Sequence, residues 1–222
     1  MSGRSVANAL ALPRGVTCLV GGGGKTTLAH VLAAQLPGSV IFCTTTRIFP
    51  SETLPVVTGG PWQIAAALDR ARAACVGTPA QQGKLAAPEA SLEQLCLLAD
   101  YVIVEADGSK GLPCKAHLEY EPVIPPETDR TILVVGASGF GQPIAQAAHR
   151  PERFAALCGA SAEDIVTPER LAAVLNAEGG FDTVLVNQME DSGREAAAGQ
   201  LAALLPVPVW GGSLRAGQVR QL

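Results

Sequence analysis

The chain has 222 residues, of which 48% are hydrophobic, 16% charged and only 4% aromatic, with a formal net charge of −4. That length suits one α/β domain over residues 1–222 with a full core and no need of disulfide or metal staples. An acidic chain with no run of Lys or Arg and few rings for stacking argues against nucleic acid or a membrane surface as its partner.

Met1 to Arg14 lacks the basic start and long apolar middle of a signal peptide. The longest apolar stretches are broken by Asp100 and Glu105, or by Gly136 and Gly139, short of the roughly 20 residues a membrane span requires. Cys18, Cys43, Cys75, Cys96, Cys114 and Cys158 are scattered without a C-x-x-C pair. The expectation is a cytoplasmic protein with reduced thiols, neither a disulfide framework nor a zinc site.

In chain order, Val16–Val20 reads as a strand, Lys25–Leu36 as a helix, Val40–Cys43 as a strand and Trp62–Cys75 as a helix. Thr78–Ala90 reads as a loop or weak hairpin, followed by a helix over Leu92–Ala99 and a strand over Tyr101–Glu105. Gly108–Arg130 carries four prolines and no period, and a loop of that size in a compact domain is more often functional or disordered than idle. Strands then follow at Thr131–Val135, Thr183–Asn187 and Val207–Trp210, with helices at Pro151–Cys158, Pro168–Asn176 and Asp191–Leu204. Thr167 before Pro168 is the expected N-cap. The strands are continuous apolar runs, which suits a parallel sheet covered on both faces. Together they predict a doubly wound, mostly parallel α/β fold of the P-loop NTPase type.

The strongest local signal is Leu19-Val20-Gly21-Gly22-Gly23-Gly24-Lys25-Thr26-Thr27, after a strand and opening a helix. Glycines let the backbone turn its N–H groups inward, and the helix start adds free donors and a positive dipole end. Gly21, Gly22, Gly23, Gly24, Lys25, Thr26 and Thr27 are therefore the expected phosphate-binding residues, with Lys25 reaching the terminal phosphates. Thr26 or Thr27 would place a hydroxyl on Mg²⁺. Leu19 stands where the full G-x-x-x-x-G-K-[ST] pattern has its first glycine, so the loop is a shortened one.

Tyr101-Val102-Ile103-Val104-Glu105-Ala106-Asp107 ends in two carboxylates, at the strand end where open α/β sheets bind ligands. Either could hold Mg²⁺ or orient a nucleophile. Thr44-Thr45-Thr46-Arg47 closes the second strand in the same way. Thr45 and Arg47 suit a phosphate, a carboxylate or metal-bound water there. In the following loop, Lys110 or Lys115 could meet an anion. His117 and His149 read more readily as structural than as ligands or bases, and Cys114 is a lone thiol. Asn187, at the end of Val184-Leu185-Val186-Asn187-Gln188, could contact a base edge, or else lie in a turn with Asp191 capping the next helix.

The order G-G-G-G-K-T-T, T-T-T-R-I-F-P, E-A-D-G-S-K-G-L-P-C-K-A-H-L-E-Y-E-P-V-I-P, H-R-P-E and V-L-V-N-Q resembles the YqeC family over nearly the whole chain. That resemblance implies a cytoplasmic accessory factor for maturing selenium-dependent molybdenum hydroxylases, with the hydroxylase apo-enzyme as a partner. The short glycine loop and V-E-A-D strand end are also similar to those of Mur-type ATP-dependent ligases. That likeness implies phosphate contacts on Gly24, Lys25 and Thr26 and a metal on Glu105. The chain is too short for those ligases' substrate domains. The combined expectation is binding of ATP or another NTP with Mg²⁺, with Thr26 and Glu105 on the metal. Lys25 would stabilise the transferring phosphoryl group, and Asp107 or Arg47 would orient an acceptor. The alternative is a non-catalytic carrier whose loop grips the phosphate of a molybdopterin-type cofactor.

Overall fold

Apolar runs without alternation need cover on both sides, and the structure supplies it. The computed structural model describes residues 3–222. Its first half runs β1 (Arg4–Ser5), α1 (Val6–Leu10), β2 (Gly15–Gly21), α2 (Lys25–Gln35), β3 (Val40–Thr44), β4 (Val56–Val57), α3 (Pro61–Ala71), β5 (Ala73–Val76), β6 (Thr78–Pro79), β7 (Leu85–Ala86), α4 (Leu92–Leu98) and β8 (Tyr101–Glu105). Its second half runs β9 (Cys114–Lys115), β10 (Thr128–Gly136), α5 (Ile144–Ala147), β11 (Ala148–His149), α6 (Pro151–Cys158), α7 (Pro168–Glu178), β12 (Thr183–Asn187), α8 (Ser192–Leu204), β13 (Val209–Ser213) and β14 (Gln218–Gln221).

Ten of these strands form one sheet in the order β1-β14-β13-β12-β10-β2-β8-β3-β5-β4. Every pairing from β13 to β4 is parallel, and only β14 and β1 add antiparallel pairings at one edge. The doubly wound, mostly parallel α/β sheet expected from the sequence is therefore the fold. Side chains alternate between two cores, as the pleat requires. Cys18, Val20, Val104, Val135 and Val186 face the layer containing α3, α4, α6, α7 and α8. Leu19, Phe42, Ile103, Val134 and Leu185 face α1 and α2.

From β2 the chain reaches β3 by crossing over the position that β8 later fills, while β10 takes the other flank of β2. The direction of winding thus reverses at β2, and the carboxyl ends of β2, β8, β3, β10 and β12 converge beyond it. Ligands of open α/β sheets bind at this kind of switch point.

The structure corrects three element expectations. The helix expected over Trp62–Cys75 stops at Ala71, where Arg72 turns left-handed at φ 60°. Ala73-Ala74-Cys75-Val76 is instead β5, fully buried beside β3. Ala favours helix locally, but pairing along an open sheet edge overrides that preference. The last predicted strand is displaced to Val209–Ser213, and the chain then returns as β14. Finally, β10 begins at Thr128, inside the segment expected to be loop, because Thr128 and Arg130 pair with Val16 and Thr17. The weak hairpin within Thr78–Ala90 is present as β6 paired antiparallel with β7. Thr167 and Asp191 both cap helices, accepting from the backbone N–H of Arg170 and Arg194. Among the described residues no helix is long and apolar enough to cross a membrane.

Candidate functional site

The glycine loop leaves β2 and enters α2 with Gly21, Gly23 and Gly24 at φ 93°, 68° and 119°. A side chain at Gly23 would put its Cβ 2.1 Å from the Gly136 nitrogen, so the loop is pressed onto the end of β10. Three of its N–H groups are already used inside the protein. Gly21 donates to Asp107 Oδ2 at 2.9 Å, Gly22 to the Val134 carbonyl at 2.9 Å and Gly23 to the Leu112 carbonyl at 3.0 Å. Gly21, Gly22 and Gly23, expected among the phosphate contacts, thus shape the loop with their amides turned away from any ligand. The donors left for an anion are those of the first turn of α2, which have no partner within the helix. Thr26 and Thr27 there are exposed, and Lys25 is buried.

Lys25 Nζ lies 2.5 Å from the Gly21 carbonyl and 2.9 Å from Asp107 Oδ1, with Glu105 Oε1 at 3.8 Å. The Thr26 hydroxyl donates to Glu105 Oε2 at 2.9 Å. Burial pushes the Glu105 carboxyl pKa up, an effect that Lys25 and Thr26 partly offset. Among the described residues no group of three or more His, Cys, Asp and Glu side chains is gathered to hold a metal. The Thr26 hydroxyl and the Glu105 carboxylate are oxygen donors of the kind that hold hard cations.

Asp107 is more enclosed than the sequence implied. Its side chain has no exposed surface, and besides Lys25 and the Gly21 amide it meets Lys115 Nζ at 3.2 Å and His117 Nε2 at 2.6 Å. Burial alone would raise its pKa, but the His117 hydrogen bond and the two lysines hold it well below the usual carboxylate range. His117 in turn bonds Glu178 Oε2 through Nδ1 at 2.7 Å, and its backbone N–H donates to Glu178 Oε1 at 2.6 Å. Burial would lower the His117 pKa, yet the two carboxylates raise it. Lys115 continues the chain of charges through Glu121, at 3.4 Å, to Arg150. Lys115 is thus interior and not offered to a ligand. Cys114 beside it is buried, which pushes its thiol up to about 12 and leaves it unreactive.

The remaining predicted residues divide between two clefts flanking the loop. One, of about 550 Å³, is lined by Gly24, Lys25, Thr26, Glu105, Arg47 and Lys110, together with Phe49 and Lys84. The other, of about 270 Å³, holds Thr27, Asn187, Ser138, Gln188, Arg194 and Arg215. Thr45 lines neither, and its hydroxyl donates to the Val123 carbonyl. Asn187 is buried, donating to the Gly23 carbonyl at 2.8 Å and accepting from the Leu214 N–H at 2.9 Å. It ties the loop to the chain after β13, so its amide is largely committed to structure. His149 sits away from the loop, in a cleft with Lys110, Arg150 and Arg153. Sequence reasoning missed Glu178 altogether, because an acidic residue at the end of a helix looks solvated until the fold brings it to His117.

The chain covers 95% of its own length against the crystal structure of the signal recognition particle 54 kDa protein from Aeropyrum pernix K1 in complex with GDP, and 44% of that chain, at 18% identity and a TM-score of 0.46. In sequence, 182 residues are 34% identical to a protein of Escherichia coli (strain K12) described as "Uncharacterized protein YqeC", covering 76% of this chain and 71% of that one. A family model described as YqeC protein matches residues 17–152, a span that holds the glycine loop, Arg47, Glu105, Asp107 and His117. This chain belongs to the YqeC family.

Proposed function

We propose that this protein binds a nucleoside triphosphate, with ATP the first candidate, together with Mg²⁺, and serves as an accessory factor in maturing selenium-dependent molybdenum hydroxylases. The observation that carries the nucleotide reading is the Thr26–Glu105 hydrogen bond beside the open first turn of α2. It sets a hydroxyl and a carboxylate together where an anion would meet free N–H donors. Phosphate oxygens would take the N–H groups of Gly24 to Thr27 and the ammonium of Lys25, and Thr26 with Glu105 would hold Mg²⁺. The bound cation neutralises phosphate charge. Thr27 leads from the phosphates into the smaller cleft, where Gln188 and Arg215 would meet the rest of the nucleotide. Asp107 then has a positioning role, keeping Lys25 at the loop, while Arg47 adds charge on the other side. The link to hydroxylase maturation rests on the family alone.

The test is calorimetric titration of ATP, GTP and CTP with and without Mg²⁺, repeated on Thr26→Val and Lys25→Ala. One nucleotide should bind only with Mg²⁺, and each variant should weaken it at least tenfold. Lys25→Ala also strips a partner from buried Asp107, so its affinity is compared at a temperature where both proteins are folded. Equal affinities in all three proteins would overturn the reading. A carrier role is the second reading. It is favoured by the larger cleft, whose only acidic or imidazole side chain, Glu105, is already held by Thr26. Binding of a molybdopterin-type cofactor in place of the nucleotide would select it.

A further inference from the structure

The larger cleft has a wall that the phosphate loop does not explain. After β3 the chain runs through Arg47, Ile48 and Phe49, and the β6–β7 hairpin comes up against it. Ile48 and Leu85 exchange both backbone hydrogen bonds, at 3.0 and 2.8 Å, and both side chains are buried. This clamp fixes Lys84 over Phe49, with Nζ 4.9 Å from the ring centroid. Phe49 is nonetheless 67% exposed in a chain with five phenylalanines. The clamp thus holds the Phe49 ring out of the core with a cation near it, and aromatic rings pair favourably in offset or edge-on arrangements.

Charge gives the second half of the ligand. Arg47, Lys84 and Lys110 line the same cleft, and none of them forms an ion pair among the described residues. Glu105 is the cleft's only carboxylate and is occupied by Thr26 and Lys25. On a chain of net charge −4, three unpaired cations around one hollow concentrate positive potential where an anion would enter. A cleft of about 550 Å³ is within the range that encloses small-molecule ligands.

We infer that this wall is a second ligand site, taking a small planar aromatic molecule that carries a phosphate or carboxylate. The ring stacks on Phe49, and the acid group meets Lys84, Arg47 and Lys110. It lies beside the nucleotide and not in its place. That adjacency rests on the nucleotide reading above, whereas the wall itself does not.

The probe is 1-naphthyl phosphate, followed by its fluorescence in the full chain, with 1-naphthol and inorganic phosphate as the ring-only and anion-only controls. Saturable one-to-one binding is expected, with each control at least tenfold weaker. Phe49→Ala and Lys84→Ala should each weaken the probe tenfold or more, with thermal midpoints unchanged, and Phe49→Tyr should restore it. A non-hydrolysable ATP analogue with Mg²⁺ should leave the probe bound. Absence of saturable binding, affinity unchanged in Phe49→Ala and Lys84→Ala, or displacement by the ATP analogue would each overturn the inference. If the analogue itself fails to bind while the probe still titrates with the expected variant losses, only the nucleotide reading falls.

Discussion

One carboxylate, that of Asp107, holds the Gly21 amide, Lys25, Lys115 and His117 at once. Removing its charge leaves two lysines and a histidine gathered around a buried neutral side chain. Asp107→Asn should therefore cost about 3–5 kcal/mol, the range for breaking one partner out of a buried ion pair, read as a lower urea midpoint with unchanged slope. His117 gives the cluster a pH signature. Its pKa is raised above 6.5 by Asp107 and Glu178 despite burial. A raised folded-state pKa means that its stabilisation is complete below the unfolded value and is lost as pH climbs through the folded value. His30 and His149 are shifted the other way by burial and act with the opposite sign. Thermal midpoints taken from about pH 6 to about pH 9 should show a decline with rising pH that is shallower in His117→Gln. Equal slopes in the two proteins would show that His117 is not protonated in the fold.

At the scale of elements, the glycine loop is packed so closely that its neighbours leave no room for a side chain at Gly23. Gly23→Ala meets the Gly136 backbone and keeps a left-handed φ, so overpacking and strain together should cost about 3 kcal/mol. Circular dichroism should place its thermal midpoint roughly 6–12 °C below the parent. This same tightness separates what was legible in the sequence from what was not. A strand, glycines, Lys25 and Thr26 in series specify their own local geometry, and Glu105 sits at the strand end where the apolar run stops. The central strands were readable because nothing but burial on both faces explains runs such as Val102-Ile103-Val104. β5 was not readable, since Ala73-Ala74-Cys75 has no side chain large enough to declare a strand. β14 and β1 were not readable either, because a short edge strand is set by the strand that it meets. The use of the Gly22 and Gly23 amides depends on Val134 and Leu112, which lie far along the chain.

Over the whole molecule, the site is closed by contacts between distant parts of the sequence. Asn187 meets Gly23 across 164 positions, Gly21 meets Asp107 across 86, and His117 meets Glu178 across 61. Asn187→Ala would leave the Gly23 carbonyl and the Leu214 N–H buried without partners, at a cost of roughly 2–4 kcal/mol. Because that bond shapes the loop itself, weaker nucleotide binding should accompany the loss, both seen in one ligand-dependent melting series. Contacts of such sequence separation form only after the entropy of closing long loops has been overcome. During synthesis, then, the glycine segment leaves the ribosome long before it has its shape. It waits for Asp107, then Glu178, then Asn187 and Leu214, so the loop can take this shape only after Leu214 has been made. A ligand bound as proposed at this loop would therefore stabilise the finished fold and not the growing chain.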